Sequence, residues 1–316
     1  MNDKVSVIIT AYKEDKTIAK AIRNIADHEF SGINSNFEII LACPDSETFE
    51  AAKAECERLG IIDKFVYIKD LQKGKPIALN MAMDKATGEI LIFTDGDVYF
   101  GENAVANLLK HFNDPKVSMV TGRPKSDDPK TTMMGYFGNL LADAAHHKRS
   151  IDLSNEPVGK SLTFVKKRSF FPVSGYIYAM RKTDIRFPPH TLVDDAYISY
   201  RIYNDGGKIE YAPDAEVFVK YPTNLADYFN QKKRSTGGFV QLWDYGIVKP
   251  ETKTRSFGRE LEYFWFPINY AKNIKEFFWS LMLYPIRLWL WILIYWERRV
   301  VKKDFVKTWV RIESTK

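Results

Sequence analysis

Carboxylates recur in this sequence at positions where a side chain would be free to react. Asp95 and Asp97 flank a single glycine directly after the apolar run Glu89–Thr94. Two Asp side chains on either side of a Gly can turn toward one hard cation, because such ions take oxygen ligands and Gly permits the close turn. A divalent ion held there could neutralise a diphosphate. Two further loops carry acids, Ala11-Tyr12-Lys13-Glu14-Asp15 and Cys43-Pro44-Asp45-Ser46. A second acidic pair, Asp194-Asp195, precedes the helical run Ala196–Tyr203. Adjacent carboxylates near a metal and a diphosphate raise one another's pKa, which suits a group that must accept a proton near neutral pH. Each pair has a plainer alternative. An isolated Asp-x-Asp is a turn with a capping Asp, and an acidic pair at a helix start is favoured by the helix dipole.

The elements that must position these residues alternate between strand and helix. Val5–Thr10, Phe37–Ala42, Phe65–Ile68 and Glu89–Thr94 are short, nearly continuous apolar runs of strand length. Between them Thr17–Ala26 places Ile18, Ala21, Ile22 and Ile25 at helical spacing, Ser46–Leu59 is a helix stopped at Gly60, and Lys75–Thr87 is one stopped at Gly88. This alternation predicts an α/β fold with a mostly parallel central sheet and helices on both faces. Ligands of such sheets bind beyond the carboxyl ends of the strands, where all three acidic loops fall. Lys75 stands at a helix start, where the dipole mildly disfavours a cation, so a phosphate partner would account for it.

The 316 residues are ample for a buried core, in one large domain with an appendage or in two domains. With 46 Lys and Arg against 40 Asp and Glu, the net charge of +6 does not by itself choose between nucleic acid, anionic lipid and phosphorylated substrates. Disordered, collagenous and disulfide-stapled classes are excluded, and two cysteines suit a reducing compartment. His146-His147 lacks partners at metal-ligand spacing and reads as a surface or loop pair. Lys166-Lys167-Arg168 suits an acceptor-side or lipid-facing loop, and no DNA- or RNA-binding motif accompanies it, so no nucleic-acid partner is expected.

Seven segments, in this order, resemble glycosyltransferase family 2 of the GT-A fold: VSVIITAYKED, the Asp45 loop, GKPIALNMAMDKATGEILIFTDGD, SGYIYAMRKTDI, LVDDAYISYRI, APDAEVFVKYP and QKKRSTGG. The resemblance spans roughly residues 4 to 246. It implies an inverting enzyme that moves a sugar from a nucleotide-diphosphate donor, with a UDP-sugar expected, to an acceptor nucleophile with Mg2+ or Mn2+. By the same resemblance Ala11, Tyr12 and Glu14 surround the base and ribose, Asp45 bonds the base, Lys75 lies near the nucleotide, and Asp95 and Asp97 form the metal and ribose-diphosphate motif. Asp195 matches the catalytic base, with Asp194 where the family has Glu, one methylene longer. Ser174 and Gly175 match the acceptor-side strand. Gln231 and Arg234 match a Q-x-x-R-W motif, Arg stabilising the leaving diphosphate and Gln positioning the acceptor, although Ser235 replaces its Trp. Taken alone, Gln231–Ser235 is a basic helix face.

Two other classes compete. A sugar nucleotidyltransferase should open with a Gly-rich phosphate loop, and here that loop is TAYKED. A catalytically silent carbohydrate-binding protein on the same fold would have no reason to keep Asp95, Asp97 and Asp195.

Composition changes near 246–259. The stretch 261–309 holds six of the seven Trp, which divides the chain into a catalytic domain, 1–246, and a helical membrane-interface module, 247–316. Phe277–Trp296 is about long enough to span a bilayer, but Pro285 and Arg287 interrupt it. Ser280, Tyr284, Arg287, Trp291, Tyr295, Arg298 and Lys302 share one helical face, with Phe278, Leu281, Met282, Leu288 and Ile292 on the others. Such a helix is expected to lie in the membrane interface, with Arg298, Arg299, Lys302 and Lys303 toward anionic headgroups and residues 259–303 as the contact. The start, MNDKVSVIIT, has no signal-peptide pattern, so a peripheral or monotopic protein at the cytoplasmic face of the membrane is expected, acting on a glycan or lipid-linked acceptor.

Overall fold

The structure is a computed structural model, and it describes residues 4–28, 36–153, 170–301 and 313–315. An eight-stranded sheet has the order β3-β2-β1-β4-β7-β6-β8-β5. Its first half comprises β1 (Val5–Thr10), β2 (Phe37–Cys43), β3 (Phe65–Lys69) and β4 (Ile90–Asp95). β1 pairs in parallel with both β2 and β4, and β2 with β3. β1, β2 and β4 are buried on both faces, with Val7, Ile8, Ile39, Ile40, Leu91 and Ile92 all fully enclosed, while β3 at the sheet edge is mostly half-buried. Helix α1 (Ile18–His28) turns Ile18, Ala21, Ile22 and Ile25 into that core. Each buried aliphatic side chain contributes about 2 kcal/mol.

The other half changes direction. β5 (Tyr99–Phe100), β6 (Val117–Ser126), β7 (Tyr178–Arg181) and β8 (Lys208–Val219) complete the sheet. β7 runs antiparallel to β4 and to β6, and β5 antiparallel to β8. The sheet is therefore mixed rather than mostly parallel. Helices also separate β5 from β6, β6 from β7 and β7 from β8, yet β6 and β7 pair antiparallel, so an intervening helix does not by itself set strand direction.

A buried carboxylate ties the parallel half together. Glu38 in β2 accepts from Ser6 Oγ (2.6 Å), Thr87 N (2.7 Å) and Thr87 Oγ1 (2.9 Å). It thus links β1, β2 and the turn that follows α3 (Lys75–Lys85), so the start of β4 is fixed against its neighbours.

The chain forms two compact units. The first holds residues 1–124 and 172–219, and the second 125–171 and 220–315. Compactness thus groups residues differently from the composition change near Gly246, because α5 (Met133–Leu153) and α7 (Leu225–Asp244) pack with the C-terminal α10 (Ile274–Arg299). In the second unit Tyr136, Phe137 and Leu140 of α5 form a core with Leu283 of α10. Tyr136 and Ser280 share a hydrogen bond of 2.7 Å.

α10 is continuous over 26 residues with Pro285 inside it, so Pro285 and Arg287 do not interrupt the helix. It is also the one helix among the described residues long and apolar enough to cross a membrane, by length and composition. Its polar stripe faces the protein. Ser280 is fully buried, Arg287 pairs with Glu260, and Glu297 pairs with Lys233 of α7 at 2.7 Å. The outer face exposes Phe278, Leu281, Met282, Leu288, Trp289, Ile292 and Trp296. Tyr295 departs from the predicted stripe and is 65% exposed on that outer side. Lys302 and Lys303 lie outside the described residues, as do Lys166, Lys167 and Arg168.

Candidate active site

Strand ends bring the predicted residues of the first unit together. Asp95 closes β4, and its Oδ1 accepts from Thr10 Oγ1 at the end of β1 (3.0 Å) and from Lys75 Nζ (2.6 Å). Lys75 opens α3 after Gly74, whose φ of +99° sharpens the turn. Burial acts to lower the Lys75 pKa, yet Asp95, Asp194 and Asp195 outweigh it and hold the ammonium well above the usual lysine range. The partner that accounts for a lysine at this helix start is thus, in the protein itself, a group of carboxylates.

Gly96 is a steric requirement. A Cβ there would stand 2.5 Å from Glu14 Oε2 and 3.0 Å from Ala11 Cβ, so the Asp95 loop can lie against the Ala11–Glu14 loop only without a side chain. Glu14 is buried, and its backbone carbonyl accepts from the amides of Thr17 and Ile18 at the start of α1. Tyr12 is half-buried, with Lys13 Nζ 5.5 Å from its ring centroid. Asp45 caps α2 (Ser46–Arg58), with Oδ1 accepting from Thr48 N (3.0 Å) and Oδ2 from Lys13 N (2.9 Å). Burial tends to raise its pKa, but these bonds prevail and keep it low. Asp45 therefore fixes one acidic loop to the next. Cys43, beside it, is buried with its thiol pushed up to about 12, so it is an inert core residue.

The second acidic pair starts α6 (Asp194–Asn204). Asp195 Oδ2 accepts from the Gly175 amide at 2.9 Å, and its Oδ1 from Ala196 N at 2.8 Å. The Asp195 carbonyl accepts from Ser199 Oγ (2.6 Å), while Ser199 Oγ accepts from Val173 N (3.0 Å). Ser174 N donates to Thr121 Oγ1 of β6 (2.9 Å). The 174–175 turn is thus bonded to both β6 and α6, which joins Ser174 and Gly175 to Asp195. The Asp194 carboxyl is raised, to about 6. Burial is the main cause, Lys75 opposes it, and Asp195 and Asp95 add to it.

Tyr178 is a residue that sequence reasoning missed. Its ring stacks on Phe93 with centroids 4.6 Å apart. Its hydroxyl is buried with no hydrogen-bond partner among the described residues. Burial and the charges of Asp194, Asp195 and Asp95 push its pKa up. A Tyr among the apolar residues of β7 gave only a weak sign of this. Gln231 and Arg234 lie on α7 of the second unit. His147 is not a surface or loop residue. It lies within α5, half-buried against Tyr263 and Phe266, and burial lowers its pKa.

The donor set fits a hard divalent cation shared with a substrate. Asp95 and Asp97 offer carboxylate oxygens on one turn, and Lys75 bonds Asp95 beside them. No three carboxylate, imidazole or thiol groups converge into a metal cage among the described residues. A site with only one or two carboxylates is the kind Mg2+ fills with phosphate oxygens and water as its remaining ligands.

An α/β sheet flanked by helices, with acidic loops at the carboxyl ends of its parallel strands, is consistent with the GT-A class of transferases. The chain belongs to glycosyl transferase family 2, whose pattern matches residues 6–173, and residues 90–301 match Glycosyl transferase family group 2. It is a glycosyltransferase. Among curated relatives it is 22% identical over 241 residues to poly-beta-1,6-N-acetyl-D-glucosamine synthase of Staphylococcus aureus, covering 74% of this chain and 54% of that one. It is 23% identical over 216 residues to glycosyltransferase GlyA of Streptococcus pneumoniae, covering 67% and 30%. The chain thus spans about half the length of the former and less of the latter. Among solved structures, the mannosyltransferase PcManGT from Pyrobaculum calidifontis, in complex with GDP-Man and Mn2+, superposes with a TM-score of 0.58 at 17% identity, covering 97% and 83%. S. aureus TarS 1-349 gives 0.51 at 15% identity, covering 85% and 73%.

Proposed function

We propose that this glycosyltransferase inverts configuration, taking a sugar from a nucleoside diphosphate, with UDP expected, and joining it to a hydroxyl of a glycan or lipid-linked acceptor. The observation that carries this reading is Asp195, fixed by the Gly175 amide at 2.9 Å and lying in the field of the Lys75–Asp95 pair. In this scheme Asp195 takes the acceptor proton as the hydroxyl attacks the anomeric carbon, and one displacement inverts the centre. Asp194 and Lys75 set the charge around it. Ala11, Tyr12, Glu14 and Asp45 line the nucleoside, Ser174 and Gly175 border the acceptor, and Gln231 and Arg234 serve acceptor and leaving group. Asp95 and Asp97 would hold Mg2+ or Mn2+, which when bound supplies positive charge to the departing diphosphate. PcManGT, of the same fold, carries GDP-Man and Mn2+ in its structure, which supports the donor class and the metal without choosing between Mg2+ and Mn2+.

The test is Asp195→Asn, with the donor first found by screening nucleotide sugars for nucleoside diphosphate release. Turnover should fall by a factor on the order of 100 to 10,000, with donor affinity in calorimetry nearly unchanged. Unchanged turnover would reject Asp195 as the base.

We also propose that the second unit rests on a membrane surface through α10. The exposed face described above, together with the exposed Phe264 and Trp265, supports an in-plane helix whose polar side is taken up by the protein. In flotation with anionic vesicles the full chain should rise, and a chain truncated after Gly258 should not. Equal flotation of both would refute the assignment.

A further inference from the structure

The sheet sets the direction of the Tyr178 side chain. β7 lies between β4 and β6, and Tyr178 stands opposite Phe93 on one side and Thr121 on the other. Its ring stacks on Phe93. Side chains alternate along a strand, so Asp95, two residues after Phe93 at the end of β4, shares that face. Diagonal neighbours of this kind are about 7 to 8 Å apart, within reach of an aromatic side chain. Tyr178 is 1% exposed, and its hydroxyl has no hydrogen-bond partner among the described residues. Phenylalanine would pack on Phe93 equally well without leaving a buried donor unpaired, which is costly. Packing therefore does not account for the hydroxyl.

The hydroxyl is sealed from solvent, so its acceptor has to be a group already within the fold. Three carboxylates stand close enough to act on it by charge: Asp194, Asp195 and Asp95. Two of them are committed. Asp95 Oδ1 accepts from Thr10 and Lys75, and Asp195 accepts one amide on each oxygen, from Gly175 and from Ala196. Asp194 differs. Its carboxylate is bonded by its own backbone amide and by no other residue among those described, and Lys75 acts on it through charge. A donor and an acceptor, each without a partner from another residue, thus belong to one cluster. Rotation of the Asp194 side chain is the motion that joins them. Lys75 is the cation the cluster shares, and a bound nucleoside diphosphate would compete for it.

We propose that Tyr178 is a positioning residue for the transfer: when a nucleoside diphosphate draws on Lys75, the Tyr178 hydroxyl donates to the Asp194 carboxylate and holds it charged and in place beside Asp195. A hydrogen bond to an ionised acceptor is roughly twice as strong as one between neutral groups, so one phenol offsets much of what Asp194 loses. The phenol keeps its proton, because burial and the same three carboxylates push its pKa up, and it therefore acts as a donor. Lys75 of α3, Asp95 of β4 and Asp195 of α6 are the other charged groups that act on Asp194. This role deepens the transferase reading and rests on it for the event that engages Lys75.

The experiment uses the full chain and Tyr178→Phe, which removes one oxygen and keeps a ring on Phe93. With turnover followed as nucleoside diphosphate release, kcat should fall about tenfold or more, the loss expected for a hydrogen bond to a charged group, while UDP affinity in calorimetry holds. The acid limb of the kcat profile should move to higher pH, by about one unit for a tenfold loss, because Asp194 without its donor keeps its proton to higher pH. The melting temperature should stay equal or rise, since the resting fold loses no bond. Tyr136→Phe is the contrast, because that hydroxyl shares a 2.7 Å hydrogen bond with Ser280, and its removal should lower the melting temperature and leave kcat unchanged. For Tyr178→Phe, an unchanged kcat, an unmoved acid limb, or UDP affinity lost in step with kcat overturns the proposal. A lowered melting temperature also overturns it, by showing the hydroxyl already bonded in the resting fold. All of these results are measured against wild-type turnover, so they leave the Asp195→Asn test of the transferase reading standing.

Discussion

Gly175→Ala probes the contact on which the base assignment depends. Gly175 has no positive φ, so Ala can adopt its backbone, and any effect must come from the added methyl. That Cβ would stand 3.3 Å from Asp195 Oδ2, 3.4 Å from its Cγ and 3.5 Å from its Cβ. The carboxylate must therefore give by a few tenths of an ångström while still accepting from the amide at 2.9 Å. A misplacement of 1 Å costs on the order of 100-fold in rate, so a shift of 0.3 to 0.5 Å corresponds to roughly four- to tenfold. Thermal stability should scarcely change, because lowered unfolded-state entropy, about 0.4 to 1 kcal/mol, offsets the crowding. The assay is nucleoside diphosphate release under saturating donor, with donor affinity measured separately. The fall should lie in kcat, with donor affinity intact, and Gly258→Ala, where a Cβ meets nothing within 4 Å, serves as the control. A kcat equal to wild type would show that the position of Asp195 does not limit the reaction and would refute the reasoning.

Other outcomes follow from the same geometry. Excess chelator should abolish turnover and added Mg2+ or Mn2+ should restore it, and full activity in chelator would exclude the metal role of Asp95 and Asp97. Asp97→Asn should weaken donor and metal binding together in calorimetry, since one anionic ligand is lost. Gly96→Ala should lower donor affinity more than Gly175→Ala does, because its Cβ would meet Glu14 Oε2 at 2.5 Å and force the two loops apart. Glu55, in α2, is held at about 2 by Arg58 and Arg23, against an ordinary value of 4.5. A depressed carboxylate contributes stability that is present above the unfolded pKa and lost as pH falls through the folded one. The unfolding free energy should therefore fall by on the order of 1 to 2 kcal/mol as pH drops from 4.5 to about 2, after discounting for the half-exposed guanidiniums. Glu55→Gln should flatten that slope, and an equal slope in the variant would exclude the cause.

The sequence determined what local pattern can determine. Strands β1 to β4 follow from nearly continuous apolar runs, and the strand-helix alternation points to their parallel pairing. Strand ends in turn put Glu14, Asp45 and Asp95 on neighbouring loops, and the ordered segments carry the family. It also identified α10 as a distinct apolar element. Tertiary structure decided the rest, because each remaining feature pairs residues far apart in the chain. Lys75 meets Asp95 across 20 residues, and Gly175 meets Asp195 across another 20. The antiparallel pairing of β7 with β4 and β6 is made between strands far apart in the chain, which no strand-by-strand reading records. A helical wheel finds the polar stripe of α10 but not its direction. Only packing against Tyr136, Tyr228, Lys233 and Glu260 turns Ser280, Arg287 and Glu297 inward and leaves the apolar face outside. Lys75, Asp95, Asp194 and Asp195 look like separate charges in sequence. Their shared field exists only where a strand end and two helix starts bring them together, since electrostatic energy depends on distance in space and on burial, neither of which is written along the chain.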